Sequence, residues 1–149
     1  DFNGFNGSLS WTWLPTGKIR SSLSFIGAPG YTSTFYAFVG EPVRVDNSRF
    51  ARTARWDATY LATGKTSFTA SLSATKDYLT QTIFSSTQDG SDLVTIAALG
   101  VSYSPTRNSQ LSCNASYTNR SVSDNAERYN MTYPYHAASF TCSGQLVLQ

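Results

Sequence analysis

Residues 67–74 read Ser-Phe-Thr-Ala-Ser-Leu-Ser-Ala, with an apolar side chain at every second position. Successive side chains of a β-strand point to opposite faces of its sheet, so this alternation predicts a strand with one apolar and one hydroxyl-rich face. Six further stretches alternate in the same way, namely 8–13, 19–25, 54–60, 93–103, 110–117 and 138–148. The sequence therefore predicts seven β-strands. Residues 31–39, where the alternation is poor, are the candidate for an eighth strand.

The composition indicates a single all-β unit over residues 1–149. The chain contains 22 Ser and 18 Thr, 14% of its residues are aromatic, and only 13% are charged, about half the usual share. So many aromatic residues exclude a disordered chain, and the scarcity of helix-favouring residues argues against a helical bundle. A net charge of +2 with scattered Lys and Arg excludes a nucleic-acid-binding footprint. No apolar run reaches the roughly 18–20 residues of a transmembrane helix.

The connections between the predicted strands have two lengths, which alternate along the chain. The short ones are three-residue loops at Pro15-Thr16-Gly17, Thr63-Gly64-Lys65 and Pro105-Thr106-Arg107. The long ones, rich in Ser, Asp, Asn, Gly and Gln, cover about residues 28–49, 77–91 and 122–133. Short turns on one side and long loops on the other are typical of an antiparallel up-and-down transmembrane β-barrel of the bacterial outer membrane. In such a barrel lipid takes the place of a hydrophobic core, and every strand turns its apolar face outward.

Aromatic residues near the strand ends fit the girdles that outer-membrane barrels place at both membrane surfaces. The candidates are Trp13, Tyr60, Tyr103, Tyr117 and Tyr135. A soluble β-sandwich, whose strands alternate in the same way, is the alternative to the barrel. The alternation of loop lengths and the low charge favour the barrel.

The two cysteines fall on the last two predicted strands. Pairing apolar faces with each other puts Ala115 opposite Phe140 and Cys113 opposite Cys142. Directly opposed residues of an antiparallel pair have Cβ atoms about 4.5–5.5 Å apart, close enough for a disulfide. We therefore predict a disulfide between these cysteines, and with it an oxidising compartment. Two unlinked small residues on one face are the alternative.

The sequence offers no catalytic or metal constellation, and we interpret the chain as a non-enzymatic protein without a cofactor. The single histidine, His136, lies by parity on the apolar face, where an interfacial or hydrogen-bonded residue is expected rather than a general base. One histidine cannot form a site with several histidine ligands. Arg55 and Asp57 share the polar face, where we expect an ion pair instead of acid–base catalysis.

Two C-terminal segments resemble the end of EpsL-type outer-membrane proteins. They are Gln110-Leu-Ser-Cys-Asn-Ala-Ser-Tyr117 and Phe140-Thr-Cys-Ser-Gly-Gln-Leu-Val-Leu-Gln149. The strand-Pro-Thr-Gly-Lys-strand hairpin from Trp13 to Ile19 is similar to hairpins of the same group of porin-like barrels. The resemblance implies an outer-membrane barrel that belongs to an exopolysaccharide operon and takes part in polysaccharide secretion. Members of the group are considerably longer, so the chain is expected to be the C-terminal part of a larger barrel.

We therefore expect a porin-like barrel in the bacterial outer membrane with a role in exopolysaccharide export. Its expected partners are outer-membrane lipid, polysaccharide and other export components, and not nucleic acid; the oligomeric state stays open. The polar face is expected to line a hydrated lumen, with these candidates: Ser22, Ser24, Arg55, Asp57, Thr59, Ser67, Thr69, Ser71, Ser73, Ser112, Asn114, Ser116, Ser139 and Thr141. Two alternatives remain, a small closed eight-strand outer-membrane barrel with a structural or adhesive role and a soluble secreted glycan-binding β-sandwich.

Overall fold

A computed structural model describes residues 6–38, 41–83, 86–106, 108–128 and 131–146 of the chain. The elements are β1 (Gly7–Thr16), β2 (Ile19–Phe38), β3 (Glu41–Leu61), β4 (Thr66–Ile83), β5 (Ser86–Thr106), β6 (Ser109–Val122), α1 (Asp124–Arg128) and β7 (Tyr135–Leu146). The strands form one antiparallel sheet of seven strands in chain order. The predicted all-β, antiparallel up-and-down class is confirmed. Among the described residues, no helix is both long enough and apolar enough to cross a membrane.

The six strand pairings keep the alternating apolar residues on one face of the sheet. One row of directly opposed residues crosses all seven strands: Trp11, Leu23, Trp56, Leu72, Ala97, Tyr117 and Ala138. The adjacent row, on the opposite face, consists of Thr12, Ser22, Asp57, Ser71, Ala98, Ser116 and Ser139. We call the first the apolar face and the second the polar face. A slip of one residue in any pairing would have mixed them, so the alternation fixes the register.

Two of the three expected long loops are β-structure instead. Strands β2 and β3 stay paired as far as Phe38 and Glu41, and β4 and β5 as far as Ile83 and Ser86. Residues 31–38 therefore belong to β2 and do not form the eighth strand considered from the sequence, while residue 39 lies outside the described residues. The pattern fails here because an antiparallel ladder is held by backbone hydrogen bonds, and it needs alternation only where one face meets an apolar phase.

One of the three short turns has the geometry predicted from the sequence, and the other two do not. The ladder between β3 and β4 pairs Leu61 with Ser67 and is centred on Gly64, as the three-residue loop requires. The ladders of β1–β2 and β5–β6 are interrupted just before their turns, at the segments that contain Pro15 and Pro105. Proline has no backbone N–H to donate to a ladder, so it is accommodated at a bulge.

Strands β1 and β7 form the two edges of the sheet. In the described part of the chain they are not paired with each other, so the structure is an open sheet and the closed barrel stays a prediction. Both β1 and β7 are exposed along nearly their whole length.

The described residues contain almost no hydrophobic core. Ala126 is the only buried hydrophobic residue among them, whereas Phe140 is 73% exposed and Trp11 and Leu99 are each 67% exposed. The apolar face is therefore uncovered from edge to edge. Burying such side chains in an apolar phase is worth about 1.5–3 kcal/mol each.

Candidate functional site

The polar face carries every residue that the sequence nominated for a lumen. All fourteen candidates lie on this face, because the registers pair them with one another or with other polar-face residues. Ser22, for example, lies opposite Asp57, which lies opposite Ser71. Whether this face lines a lumen depends on closure of the sheet, and that assignment stays a prediction.

Hydroxyl groups on the polar face bind one another across the strands. The side-chain oxygens of Ser116 and Ser139 are 2.8 Å apart, and those of Ser112 and Ser143 are 2.9 Å apart. A third such pair joins Thr53 and Thr75 at 3.0 Å. Each hydroxyl can donate one hydrogen bond and accept two, so these pairs keep capacity for water or for a sugar hydroxyl.

The ion pair expected on the polar face is present. The Arg55 guanidinium donates two hydrogen bonds to the Asp57 carboxylate, with Nε–Oδ2 and Nη2–Oδ1 distances of 2.7 and 2.8 Å. Both side chains are substantially exposed, so the pair contributes little to stability. The net charge of the pair is zero, and Arg20, opposite Thr59 on the same face, adds one positive charge nearby.

A second group of charges lies on the polar face beyond the alternating part of the strands. Asp77 of β4 is directly opposite Asp92 of β5. Arg49 pairs with Asp77, and Arg120 pairs with Asp92 through both its Nε and its Nη2. We call these four residues the charged cluster. The two carboxylates are almost fully buried, at 1% and 2% exposure.

The charges of this cluster are balanced inside it. Two guanidinium groups match two carboxylates, and the hydrogen bond with Asp77 raises the pKa of Arg49 while partial burial opposes the rise. Buried carboxylates without such partners would be strongly destabilising. The Oδ1 atoms of Asp77 and Asp92 are nevertheless buried without a hydrogen-bond partner among the described residues. The cluster therefore retains two acceptor positions.

The connection between β6 and β7 covers the charged cluster. It begins at Ser123, whose side-chain oxygen accepts hydrogen bonds from the backbone N–H of Ser91 at 3.0 Å and of Ala126 at 3.4 Å. The second contact is a helix N-cap, which explains why α1 begins at Asp124. Further along, Thr132 donates to Asp92 Oδ2 at 3.5 Å. We call residues 123–128 together with 131–132 the cap segment.

Gly90 lets the cap segment lie directly on β5. A Cβ atom added there would be 2.7 Å from the Ala126 Cβ and 3.0 Å from the Met131 Sδ. Any larger residue would therefore push α1 away from the sheet. A cavity of about 640 Å³ opens beside the cap segment, lined by residues that include Arg49, Gln81 and Met131.

Two pairs of polar side chains on the apolar face are in hydrogen-bond contact. The indole N–H of Trp56 donates to the hydroxyl of the buried Ser21 at 2.9 Å. The hydroxyl of Tyr117 lies 3.4 Å from Nδ1 of His136. The sequence predicted an interfacial or hydrogen-bonded histidine on the apolar face, and the contact of His136 with Tyr117 agrees with the second of these. Among the residues that the structure describes, no group of three or more His, Cys, Asp or Glu residues is arranged to hold a metal ion.

The aromatic candidates for the interfacial girdles lie at different places. Tyr60 and Tyr103 are on the apolar face in the last rows before the short turns. Tyr117 is instead in the middle row, and Tyr135 is opposite Arg120 on the polar face. Tyr117 is therefore not near an end of β6, and Tyr135 begins β7 but does not share the apolar face; the girdle itself stays a prediction.

The predicted disulfide is present. Cys113 and Cys142 are directly opposed on the apolar face of β6 and β7 and form a covalent bond, with Cα atoms 4.1 Å apart. The pairing of Ala115 with Phe140 is also as predicted. The last hairpin is therefore covalently closed.

The charged cluster and the cap segment were missed from the sequence. Asp77, Asp92 and Arg120 were assigned to long connections or to no function, because no alternating pattern surrounds them. The only indication in the sequence was the alternation of side chains between the two faces of a strand. If β4 and β5 are continued past their apolar residues, this alternation places Asp77 and Asp92 on the polar face.

No protein-family model matches the chain, and neither a curated protein nor a solved structure matches it. The resemblance to EpsL-type proteins therefore stays a prediction, and the functional conclusion depends on the residues and geometry of the chain itself.

Proposed function

We propose that this chain forms the non-enzymatic wall of an outer-membrane β-barrel whose polar face lines a hydrated path, and that this path serves the export of a polysaccharide. The observation that supports this proposal most strongly is the exposed apolar face of the sheet. An antiparallel sheet that is apolar on one side and hydroxyl-rich on the other satisfies the requirements of a barrel wall. The apolar face contacts lipid, and the polar face contacts water.

The height of the apolar face supports this proposal. On β5 the alternating apolar residues extend from Leu93 to Tyr103, a separation of ten residues. At about 3.4 Å per residue this corresponds to about 34 Å along the strand. With a strand tilt of about 35–45° the height is about 24–28 Å, which agrees with the apolar band of about 25 Å in outer-membrane barrels. We call this part of the apolar face the apolar band.

The polar face supports a path for a neutral or weakly charged polymer. Its hydroxyl groups offer many weak hydrogen bonds, and its charge is low, because Arg55 and Asp57 balance each other and Arg20 adds a single positive charge. Weak, repeated contacts favour passage, because a site that binds strongly also releases slowly. The disulfide agrees with assembly in an oxidising compartment such as the periplasm.

A closed barrel requires that β1 and β7 are both paired in the membrane. Unpaired backbone groups in hydrocarbon each cost several kcal/mol, and lipid supplies no hydrogen bonds. The proposal therefore includes closure, either between these two strands or through additional strands. Slow hydrogen exchange of the β1 and β7 amides in vesicles is the expected result, and rapid exchange in both strands would contradict closure.

Each alternative function makes a different demand on the structure. A soluble sandwich needs two packed sheets, and all described strands belong to one sheet. A small closed barrel with a structural or adhesive role needs an eighth strand and an interior filled by side chains. Residues 31–38 of the segment considered for that strand are part of β2.

The three tryptophans provide a direct test of membrane contact. Trp11, Trp13 and Trp56 all lie on the apolar face. After refolding of the full chain into phosphatidylcholine vesicles, lipids brominated in the middle of their acyl chains should quench most of the fluorescence, and aqueous acrylamide should quench little. Strong acrylamide quenching with no effect of the brominated lipid would refute the membrane proposal and favour a soluble protein.

The transport part of the proposal is tested separately in planar bilayers. We expect a stable ionic conductance that an added neutral polysaccharide reduces. Membrane insertion without conductance would reject the path and favour the structural barrel. Conductance that no polysaccharide affects would retain the pore and reject export of a glycan.

A further inference from the structure

Two basic residues lie on the apolar face at its boundary with the extended hairpins. Arg52 of β3 and Lys76 of β4 are directly opposite each other, and both are exposed. The next pair outward from the band is Phe50 and Tyr78. The Arg52 Cζ atom is 5.3 Å from the Phe50 ring centroid and 5.4 Å from that of Tyr78, and the Lys76 Nζ is 5.2 Å from the Tyr78 centroid.

This arrangement of two like charges is unfavourable by itself. Opposed residues of the same charge destabilise a strand pair. Among the described residues no carboxylate forms an ion pair with either cation, and every ion pair described lies on the polar face. Contacts with the two aromatic rings offset part of the repulsion. An anion placed between Arg52 and Lys76 would remove it.

The space beside the two cations is shaped for an apolar chain. In the row that contains Arg52 and Lys76, strands β1 and β2 contribute Gly7 and Gly27, which have no side chain. A groove of about 710 Å³ results, and its apolar lining includes Leu9, Phe25, Ala54, Ala74 and Leu93. The groove thus combines a row of apolar side chains with an adjacent row that contains the two positive charges.

We infer that Arg52 and Lys76 bind the phosphate of an anionic phospholipid whose acyl chain occupies this groove. The inference rests on the proposed membrane function, since it places the groove in the hydrocarbon and the cations at the headgroup level. Long basic side chains at the end of an apolar segment extend toward the headgroups, and basic clusters there attract anionic lipids. The guanidinium fork of Arg52 and the ammonium group of Lys76 are both phosphate donors.

Native mass spectrometry of the refolded full chain in detergent micelles tests this site. The probes are phosphatidylglycerol, which is anionic, and phosphatidylcholine with the same acyl chains, which has no net charge. We expect one tightly bound phosphatidylglycerol, with an affinity about 30-fold above that of phosphatidylcholine, the factor that two basic residues supply at about 1 kcal/mol each. In the variant Arg52→Gln/Lys76→Gln this preference should fall to less than threefold.

The matched control is Lys18→Gln/Arg20→Gln, which removes one lysine and one arginine near the opposite end of the strands. It should keep the 30-fold preference. A preference below threefold in the unmodified chain would overturn the lipid site without the need for any variant. Equal losses in both double variants would also overturn it, because they would indicate general charge attraction.

The brominated-lipid experiment separates this inference from the proposed function. If the tryptophans are quenched and phosphatidylglycerol is not preferred, the membrane wall stands and the lipid site is rejected. If the tryptophans are not quenched by the lipid, the proposed function fails and the lipid site fails with it.

Discussion

Leu99 and Ala98 are neighbours on β5 that face opposite sides of the sheet, and they allow a sharp test of where lipid lies. Leu99 is on the apolar face opposite Ala70 and Ala115, while Ala98 is on the polar face. Leu99 is six residues from Leu93 and four from Tyr103, the ends of the apolar band. At about 3.4 Å per residue and a tilt near 40°, it lies roughly 3 Å from the middle of the band.

In the proposed barrel, the substitution Leu99→Lys therefore places a charge near the bilayer centre. On the lipid face of a barrel such a charge costs about 2–4 kcal/mol, and we expect a loss of about 3 kcal/mol in the free energy of unfolding. Leu99 is 67% exposed, so in a water-soluble sheet the same change would alter stability by only about 0.5 kcal/mol. The two environments thus predict different magnitudes for one substitution.

The measurement is denaturant unfolding of the full chain from phosphatidylcholine vesicles, followed by tryptophan fluorescence. The control is Ala98→Lys, whose side chain would extend over the hydroxyls of Ser71 and Ser116 on the polar face. We expect it to cost less than about 1 kcal/mol, since water solvates the added charge. A loss below 1 kcal/mol for Leu99→Lys, or equal losses for the two variants, would refute the assignment of the apolar face to lipid.

Three further predictions concern the cap segment, the disulfide and the charged cluster. Gly90→Ala puts a Cβ 2.7 Å from that of Ala126, so α1 must retreat by about 1 Å; we expect a stability loss of about 1–3 kcal/mol and faster hydrogen exchange at the Ala126 amide. Replacing both Cys113 and Cys142 by Ala opens a loop of about 30 residues, and chain entropy predicts a loss of about 3–4 kcal/mol in denaturant unfolding. Asp92→Asn removes one charge of a buried pair and should cost about 3 kcal/mol in the same assay.

Each of these predictions has a control within the chain. Gly144 has no atom near its missing Cβ, so Gly144→Ala should leave stability and exchange unchanged, and a loss as large as that of Gly90→Ala would contradict the packing explanation. Reduction of the native chain should reproduce the double cysteine variant. Asp57→Asn breaks an exposed pair and should cost less than about 1 kcal/mol; an equal cost for Asp92→Asn would show that burial of the cluster is unimportant.

The sequence was sufficient to predict which residues lie on each face of the sheet. It was also sufficient to predict the complete register of β6 and β7. Alternation decides which side of each strand is apolar, and pairing apolar faces with each other leaves few registers open. On β6 and β7 the two cysteines removed the remaining choice, and Cys113 was placed opposite Cys142 correctly. In the β1–β2 and β5–β6 hairpins the same reasoning gave a turn of the wrong geometry, because Pro15 and Pro105 disturb the ladder.

The sequence was insufficient beyond Arg52 and Lys76, where the strands continue without alternating apolar residues. Beyond Arg52 and Lys76 the hairpins are held by backbone hydrogen bonds, and side-chain polarity carries no information about pairing. The charged cluster depends on that extended pairing, since Asp77 and Asp92 meet only because β4 and β5 continue past their apolar residues. Helix α1, of five residues, is too short to leave a periodic pattern, and it is held by Ser123 and Gly90 instead.

The unequal lengths of the hairpins give the sheet a rim that is high on one side and low on the other. Past the level of Arg52, β2 and β3 continue for about 11 residues, roughly 37 Å along the strands. Strands β4 and β5 continue for about 7 residues beyond Lys76, roughly 24 Å, while β6 ends at Val122 close to that level. A polymer that leaves the proposed path would meet a tall paired wall on one side and the cap segment at the low side. In the proposed barrel, the opening would therefore be lower on the side of β6 than on the side of β2 and β3.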